Sequence, residues 1–212
     1  MEEQPVETTL YSLSAAAPAP ANRREGERHL TLYRVGAIVI DGQRELCLIK
    51  NISAGGMMIR AYCDVVCDMR VSVELKSGHP IEGAVSWVHD SSVGIAFDEP
   101  VDVIDLLSAS MEGPRPRMPR IEVDCFANVR DGSTLHRMRV HDISQGGLKL
   151  ESATILASGM DVIVTLPGLE SQPCVVRWNE AGFMGITFNR LLALPLLVDW
   201  LEGQRSAMRR TG

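Results

Sequence analysis

The sequence has little of what several large functional classes require. Aromatic residues make up 5% of the 212 positions, which argues against a stacking surface for single-stranded nucleic acid. The net charge of −6 argues against general binding to a polyanion, so neither DNA nor RNA is expected as a partner. The longest apolar run, LLALPLLV, is much shorter than the roughly 20 residues of a membrane span, so no span is expected.

Signals for secretion, metal binding and catalysis are also missing. Residues 1–10 are acidic and lack the apolar stretch of a signal peptide, so we expect a cytoplasmic protein with free thiols. Cys63 and Cys67 do not have the ligand spacing of a zinc site, and we predict no metal site. There is no phosphate-binding loop motif, and Ser53 and Ser144 have no neighbouring base in sequence. We therefore predict no catalytic residues and no enzyme.

What the sequence does contain is an internal repeat with an offset of 91 residues. The segment KNISAGGMMI, residues 50–59, falls on HDISQGGLKL, residues 141–150. At the same offset Trp87 falls on Trp178, and no gap is needed between about residues 45 and 98. A constant offset over this length indicates two copies of one domain. The long period favours two independent domains over a solenoid.

Composition divides the chain in agreement with the repeat. Residues 1–22 are rich in Ala, Pro and Ser and are expected to form a disordered N-terminal arm. The first domain is predicted at 23–110 and the second at 120–206, with a Pro-rich linker at 111–119. Residues 207–212 are expected to be a frayed tail.

Each copy contains six short segments rich in Val and Ile, separated by turns of Gly, Asp, Ser and Pro. The fold class is therefore predicted to be all-β dominated, because six short strands in a small domain are best closed into an antiparallel barrel. Helix-like segments at 101–108 and 194–208 follow the strands, giving two six-stranded β-barrels, each with a C-terminal helix. The second helix is expected to cover one end of its barrel with a stripe at helical spacing: Leu196, Leu197, Trp200 and Leu201.

Both copies carry the pattern [Asp/Asn]-x-Ser-x-x-Gly at equivalent positions. Asn, Asp and Ser side chains bond to nearby backbone groups, and the glycines are expected to permit positive φ. Taken alone, the pattern is explained as a structural turn. A basic segment precedes each copy, however, and Arg28 lies 23 residues before Asn51 while Arg120 lies 22 residues before Asp142. Each copy thus combines an arginine-bearing approach segment with the same polar turn.

This combination resembles the PilZ domain family, whose members bind the bacterial second messenger cyclic di-GMP. The resemblance covers about residues 22–110 and 114–205. It implies a six-stranded barrel with a trailing helix, and cyclic di-GMP as ligand with no cofactor. The residues that match the family motifs in the first copy are Arg24 and Arg28 for Arg-x-x-x-Arg, and Asn51, Ser53 and Gly56 for the turn.

Arginine suits such a ligand because its planar fork can hold a phosphate, read guanine O6 and N7, or stack on a purine. Asn or Asp in the turn can accept from guanine N–H groups, and the serine hydroxyl adds a second polar contact. The ligand-binding residues expected in the first domain are Arg23, Arg24, Arg28, Asn51, Ser53, Gly55 and Gly56. Those expected in the second domain are Arg115, Arg117, Arg120, Asp142, Ser144 and Gly147.

The two copies do not match the family pattern equally. When Arg115 and Arg120 are paired with Arg24 and Arg28, the second copy reads Arg-x-x-x-x-Arg and carries Pro116 and Pro119 inside the motif. One extra residue in an extended segment turns a side chain to the opposite side. We therefore predict that the first copy binds and that the second binds weakly or not at all.

Two functions remain open from the sequence. In the first, the chain is a cyclic di-GMP receptor in which the messenger re-poses the N-terminal arm or the domains to regulate a protein partner. In the second, the chain is a messenger-independent protein-interaction module with degenerate barrels. The Arg-x-x-x-Arg element favours the first, because a barrel alone does not require it.

Overall fold

The chain folds into two consecutive closed barrels, and this confirms the predicted fold class. The computed structural model describes residues 30–75, 80–108, 118–152 and 156–211. The strands of the first barrel are β1 (Leu30–Ile40), β2 (Gln43–Ser53), β3 (Gly56–Ala61), β4 (Arg70–Glu74), β5 (Pro80–His89) and β6 (Ser92–Phe97). They are hydrogen-bonded in the order β1-β2-β3-β6-β5-β4, and β4 pairs back onto β1 to close the barrel.

The second barrel repeats this arrangement. Its strands are β7 (Ile121–Asp131), β8 (Thr134–Ser144), β9 (Gly147–Glu151), β10 (Asp161–Thr165), β11 (Gln172–Glu180) and β12 (Phe183–Phe188). Their order, β7-β8-β9-β12-β11-β10, is that of the first barrel, and β10 closes onto β7. Register shifts also recur at equivalent places in the two barrels. One lies at Lys50 in the first barrel and at His141 in the second. Another lies between Val85 and Trp87 and between Val176 and Trp178.

The alternation of the strands explains why the barrels close. Side chains on one face of each strand meet inside the barrel, and the aliphatic residues there are almost fully buried. The first core contains Ile38, Ile49, Ile59, Val73, Val85 and Ile95. The second contains Val129, Val140, Leu150, Val164, Val176 and Ile186.

A helix follows each barrel, and the two differ in length. Helix α1 (Val103–Ser108) is short, whereas α2 (Leu194–Thr211) runs three residues beyond the predicted end. Within the chain's described residues, no helix has the length and apolar character that crossing a bilayer requires.

Helix α2 buries a broad face against the second barrel. Leu197, Val198, Trp200 and Leu201 belong to the second core, and the Trp200 indole donates to the Pro167 carbonyl at 2.7 Å. The prediction that Leu196 faces inward is wrong, because this side chain is 46% exposed. The buried arc runs from Trp200 through Leu197 and Leu201 to Val198, and at 100° per residue Leu196 lies just outside it.

The two barrels also pack on each other. Leu46 points outward from β2, yet it is 2% exposed and belongs to the second core. Ala37, opposite it on β1, is also fully buried. Glu45 forms an ion pair with Arg205 of α2 beside this contact. The part of the outer face of β1 and β2 around Ala37 and Leu46 is therefore covered by the second domain.

The repeated tryptophans lie over glycines of the neighbouring strand. A Cβ placed on Gly94 would lie 2.0 Å from Trp87 Nε1, and one on Gly185 would lie 2.1 Å from Trp178 Nε1.

We expect Gly94→Ala to destabilise the protein by about 1–3 kcal/mol, because the indole must be displaced. Gly203→Ala in α2, where a Cβ meets nothing within 4 Å, should instead stabilise it by about 0.5–1 kcal/mol. Urea unfolding of both variants tests this, and equal stabilities would contradict it.

Candidate functional site

The polar turn of each copy is the hairpin that joins the second and third strands of its barrel. In the first copy Ser53 ends β2 and Gly56 begins β3, and Ser53 Oγ donates to the Gly56 carbonyl at 3.1 Å. In the second copy Ser144 Oγ donates to the Gly147 carbonyl at 3.3 Å. The serine hydroxyl thus ties the hairpin together, and in the second copy Ser144 Oγ also accepts a hydrogen bond from the Gly146 amide at 3.3 Å.

The prediction that the turn glycines adopt positive φ is wrong. The glycines with positive φ lie elsewhere, at Gly42, Gly132, Gly159, Gly168 and Gly182. The second glycine of the motif is needed for close packing instead. A Cβ on Gly56 would lie 2.5 Å from the Ile95 carbonyl oxygen, and one on Gly147 would lie 2.0 Å from that of Ile186. Gly55, in contrast, has open space at its Cβ position.

The turn also holds the chain that leaves each barrel. The carbonyls of Ala54 and Gly55 accept hydrogen bonds from the amides of Val101 and Phe97, at 2.9 and 3.0 Å. The second copy repeats both bonds, since Gln145 and Gly146 accept from Leu192 and Phe188. The polar turn therefore positions the segment that leads into the trailing helix.

The strand register places the start of the first strand at the turn. Thr31 pairs with Asn51 on β2, and Leu30 pairs with the next residue of β2, Ile52. Strand β1 therefore begins beside the turn. Of the predicted arginines, Arg23, Arg24, Arg28, Arg115 and Arg117 lie outside the described residues, whereas Arg120 is described.

Arg120 meets the turn of its own copy directly. Its guanidinium forms an ion pair with the Asp142 carboxylate, whose side chain is 13% exposed. The other carboxylate oxygen of Asp142 lies 3.4 Å from His141 Nδ1. A cleft of about 570 Å³ next to this pair is lined on its far side by Arg44 and Glu45 of the first barrel. The second copy thus brings an arginine and the turn acid together in one ion pair.

Asn51, the counterpart of Asp142, is different. It is half-buried, and its side-chain amide makes no hydrogen bond within the described part of the chain. The Asn51 side-chain NH₂ and carbonyl oxygen are therefore not engaged by described residues, whereas the Asp142 carboxylate is engaged by Arg120.

The register also corrects the alignment of the arginines. Leu30 pairs with Ile52 and Ile121 pairs with Ile143, so the 91-residue offset holds through the first strand of each barrel. By position Arg120 therefore corresponds to His29, and Arg28 corresponds to Pro119. Pairing Arg28 with Arg120 does not follow the strands.

Sequence reasoning did not connect Trp87 with the site. Asn51 pairs with Met58 on β3, Met58 with Gly94 on β6, and Gly94 with Trp87 on β5. The four residues form one row across the outside of the barrel. Trp87 ends the row and is 42% exposed. The common repeat offset of Trp87 and Gly94 was visible in the sequence, but their place in this row depends on the register.

The cysteines do not form a reactive centre. Burial raises the pKa of Cys47 and of Cys174 to about 12, and that of Cys63 and of Cys125 to about 11. These thiols stay protonated at neutral pH and are poor nucleophiles and poor metal ligands. Cys67 is exposed. Across the part of the chain that the structure describes, no three His, Cys, Asp or Glu side chains are placed to hold a metal ion.

Two tandem six-stranded barrels, each with an Asx-Ser-Gly hairpin beside its first strand, define the class of this chain. The family model described as PilZ domain matches it twice, over residues 22–111 and 114–196. The chain belongs to the PilZ domain family.

Several solved structures are similar to the chain. PlzA of Borreliella burgdorferi, in complex with c-di-GMP, is 13% identical, with 79% of this chain and 86% of that chain covered and a TM-score of 0.36. The inhibitor of motility MotI/DgrA of Bacillus subtilis is 15% identical, with 86% and 98% covered and a TM-score of 0.33. YcgR from Escherichia coli, in complex with c-di-GMP, is 14% identical, with 84% and 85% covered and a TM-score of 0.31. No curated protein matches the sequence.

The thiol environments predict an ordered pattern of reactivity. A thiol attacks a disulfide reagent as its thiolate, so a raised pKa and burial both slow the reaction. At pH 8 we expect Cys67 to react with an aromatic disulfide reagent at least about tenfold faster than the other four cysteines. Peptide mass mapping of the labelled native protein measures this. Equally fast labelling of Cys47 and Cys67 would contradict the buried position of Cys47.

Proposed function

We propose that this protein is a cyclic di-GMP-binding effector and that the first domain holds the messenger. The binding surface in this proposal comprises Arg23, Arg24 and Arg28 of the approach segment and the hairpin residues Asn51, Ser53, Gly55 and Gly56. Bound messenger re-poses the N-terminal arm or the barrels and thereby regulates a protein partner. The chain acts as a receptor and not as an enzyme.

The observation that carries the proposal is the contact of Arg120 with Asp142. It supports the view that a residue just before the first strand can reach the turn acid of the same barrel. In the first copy the position that corresponds to Arg120 is held by His29, and Arg28 lies one residue earlier. Strand β1 begins beside Asn51, since Leu30 pairs with Ile52, and Arg28 is two residues from that point, at most about 7 Å along the chain.

The chemistry of the first copy suits a doubly charged cyclic dinucleotide. Arginine forks bind phosphate by charge-assisted hydrogen bonds, and the unengaged amide of Asn51 can accept from a guanine N–H. The exposed indole of Trp87, at the other end of the Asn51 row, offers an aromatic surface to a purine. Gly55 leaves room for a close approach of the ligand to the backbone, since a Cβ there meets nothing within 4 Å.

A messenger-independent role is the second candidate, and the second domain favours it. There the carboxylate of Asp142 is engaged by Arg120. The need for glycine at position 147 is explained by the close approach of the Ile186 carbonyl, without a ligand. A ligand at the second domain would have to break the Arg120–Asp142 pair. We propose that the second barrel, with its site residues Arg115, Arg117, Arg120, Asp142, Ser144 and Gly147, binds the messenger weakly or not at all.

Isothermal titration with cyclic di-GMP tests the proposal. Arg24→Ala/Arg28→Ala should weaken binding by about 100-fold or more, because each charge-assisted hydrogen bond contributes about 1.5–3 kcal/mol. The matched control is Arg115→Ala/Arg117→Ala, which removes two arginines from the other approach segment and should leave the affinity unchanged. No heat from the wild-type protein at high micromolar ligand would instead support the messenger-independent module.

The two turns should also respond in opposite ways to loss of their polar partners. Asn51→Ala should weaken cyclic di-GMP binding by about tenfold with little change in stability, because the Asn51 side chain makes no hydrogen bond within the described residues. Arg120→Met should leave binding unchanged but destabilise the fold by about 1–2 kcal/mol, because the Asp142 carboxylate loses its partner. Titration and urea unfolding of both variants measure this. Weaker binding by Arg120→Met would place the messenger at the second barrel.

A further inference from the structure

The outer face of β7, β8 and β10 on the second barrel is uncovered and carries large apolar side chains. Leu135 is 60% exposed, Phe126 45% and Ile163 41%. Leu135 pairs with Arg130, Arg130 with Ile163, and Ile163 with Pro173, so these four form one row across the sheet. We call Phe126, Arg130, Leu135, Arg137, Ile163 and Pro173 the open face.

The open face is basic as well as apolar. The Arg137 guanidinium lies 4.4 Å from the centre of the Phe126 ring. Arg139, beside it, is paired with Asp124 and Glu151. Within the described ranges, Arg130 and Arg137 form no ion pair. Two unpaired guanidinium groups among exposed apolar side chains favour a partner that is both acidic and apolar.

On the first barrel, the surface equivalent to one part of the open face is covered by the second domain. On the first barrel, the positions equivalent to Phe126 and Arg137 are Val35 and Leu46. Leu46 is buried in the second core, and Val35 packs against that core. The first barrel therefore uses the outer face of its first two strands to bind another unit, whereas the second barrel leaves the same face uncovered.

Residues 1–13 of this chain have the matching chemistry. The sequence MEEQPVETTLYSL carries Glu2, Glu3 and Glu7 and has no Lys, Arg or His. Its apolar side chains include Val6, Leu10, Tyr11 and Leu13. From Leu13 to Leu30 an extended chain reaches about 56 Å. This exceeds the diameter of one barrel, since a domain of this size has a radius of gyration of about 12 Å.

We propose that the acidic segment 1–13 docks on the open face of the second barrel. Its glutamates pair with Arg130 and Arg137, and its apolar side chains cover Phe126, Leu135 and Ile163. A second copy of the chain is less favoured, because the second-domain surface that receives this part of the first barrel is already occupied within the chain. A polyanion is less favoured, because Asp124 and Glu151 flank the arginines.

The docked arm would also be connected to the messenger site, and this step rests on the proposed function. Arg23, Arg24 and Arg28 lie between residues 1–13 and β1. Capture of these arginines by cyclic di-GMP fixes one end of the arm at the first barrel and shortens its free length. Messenger binding should therefore release segment 1–13 from the second barrel.

The test uses the full chain with a fluorophore on its α-amine, which labels selectively near neutral pH because its pKa of about 8 lies below that of lysine. Without messenger, the docked arm should give the label a high steady-state anisotropy. Arg130→Glu/Arg137→Glu should lower the anisotropy nearly to the value of a free labelled peptide of residues 1–13. Adding Glu2→Lys, Glu3→Lys and Glu7→Lys to that variant should restore the high anisotropy.

Arg177→Glu/Arg190→Glu is the matched control, because it makes the same charge change at two exposed positions of the second domain outside the open face. It should leave the anisotropy at the wild-type value, and thermal unfolding should confirm that all variants fold. Wild-type anisotropy in Arg130→Glu/Arg137→Glu would overturn the proposal. The proposal would also be overturned if the wild-type protein sedimented as a dimer and Arg130→Glu/Arg137→Glu did not, because the open face would then bind a second copy. It would likewise be overturned if the wild-type protein bound a labelled single-stranded oligonucleotide and this variant did not.

Because these measurements are made without messenger, they test docking independently of the proposed function. Adding saturating cyclic di-GMP then tests the connection alone. A fall in anisotropy supports release of the arm. An unchanged value in a protein that binds the messenger by titration overturns the release step, while the docking result stands.

Discussion

The close approach of the last strand of each barrel to the hairpin between the second and third strands determines the rest of the structure. The Ile95 and Ile186 carbonyls lie where a Cβ of Gly56 or Gly147 would be, so the hairpin must carry glycine at that position. The carbonyls of the same hairpin then hold the chain as it leaves the barrel. Barrel closure, the polar turn and the exit toward the trailing helix are therefore one connected arrangement.

This arrangement explains why the motif alone could not reveal a function. Ser53 and Gly56 both have structural roles that a barrel without any ligand would also need. The informative difference lies in the first residue of the motif. The Asp142 carboxylate is engaged by Arg120, whereas the side-chain amide of Asn51 makes no hydrogen bond among the residues described. Two copies of one turn thus offer different chemistry.

Much of the fold could be predicted from the sequence because its signals are local. Segments rich in Val and Ile, separated by turns, predicted the six strands of each barrel, and the repeat predicted the tandem arrangement. Other features depend on long-range contacts. The packing of Leu46 into the second core requires the neighbouring domain, and the correspondence of Arg120 with His29 requires the strand register. The row that connects Trp87 with Asn51 depends on three strand pairings and could not be read from spacing.

The pairing of Glu45 with Arg205 and the burial of Leu46 have a consequence for how the chain unfolds. Helix α2 belongs to the second core, yet its far end reaches the first barrel. Separating the halves would expose Leu46 and Ala37 to water and leave the Glu45 carboxylate, now 11% exposed, without its cation. Each barrel therefore stabilises the other through this contact.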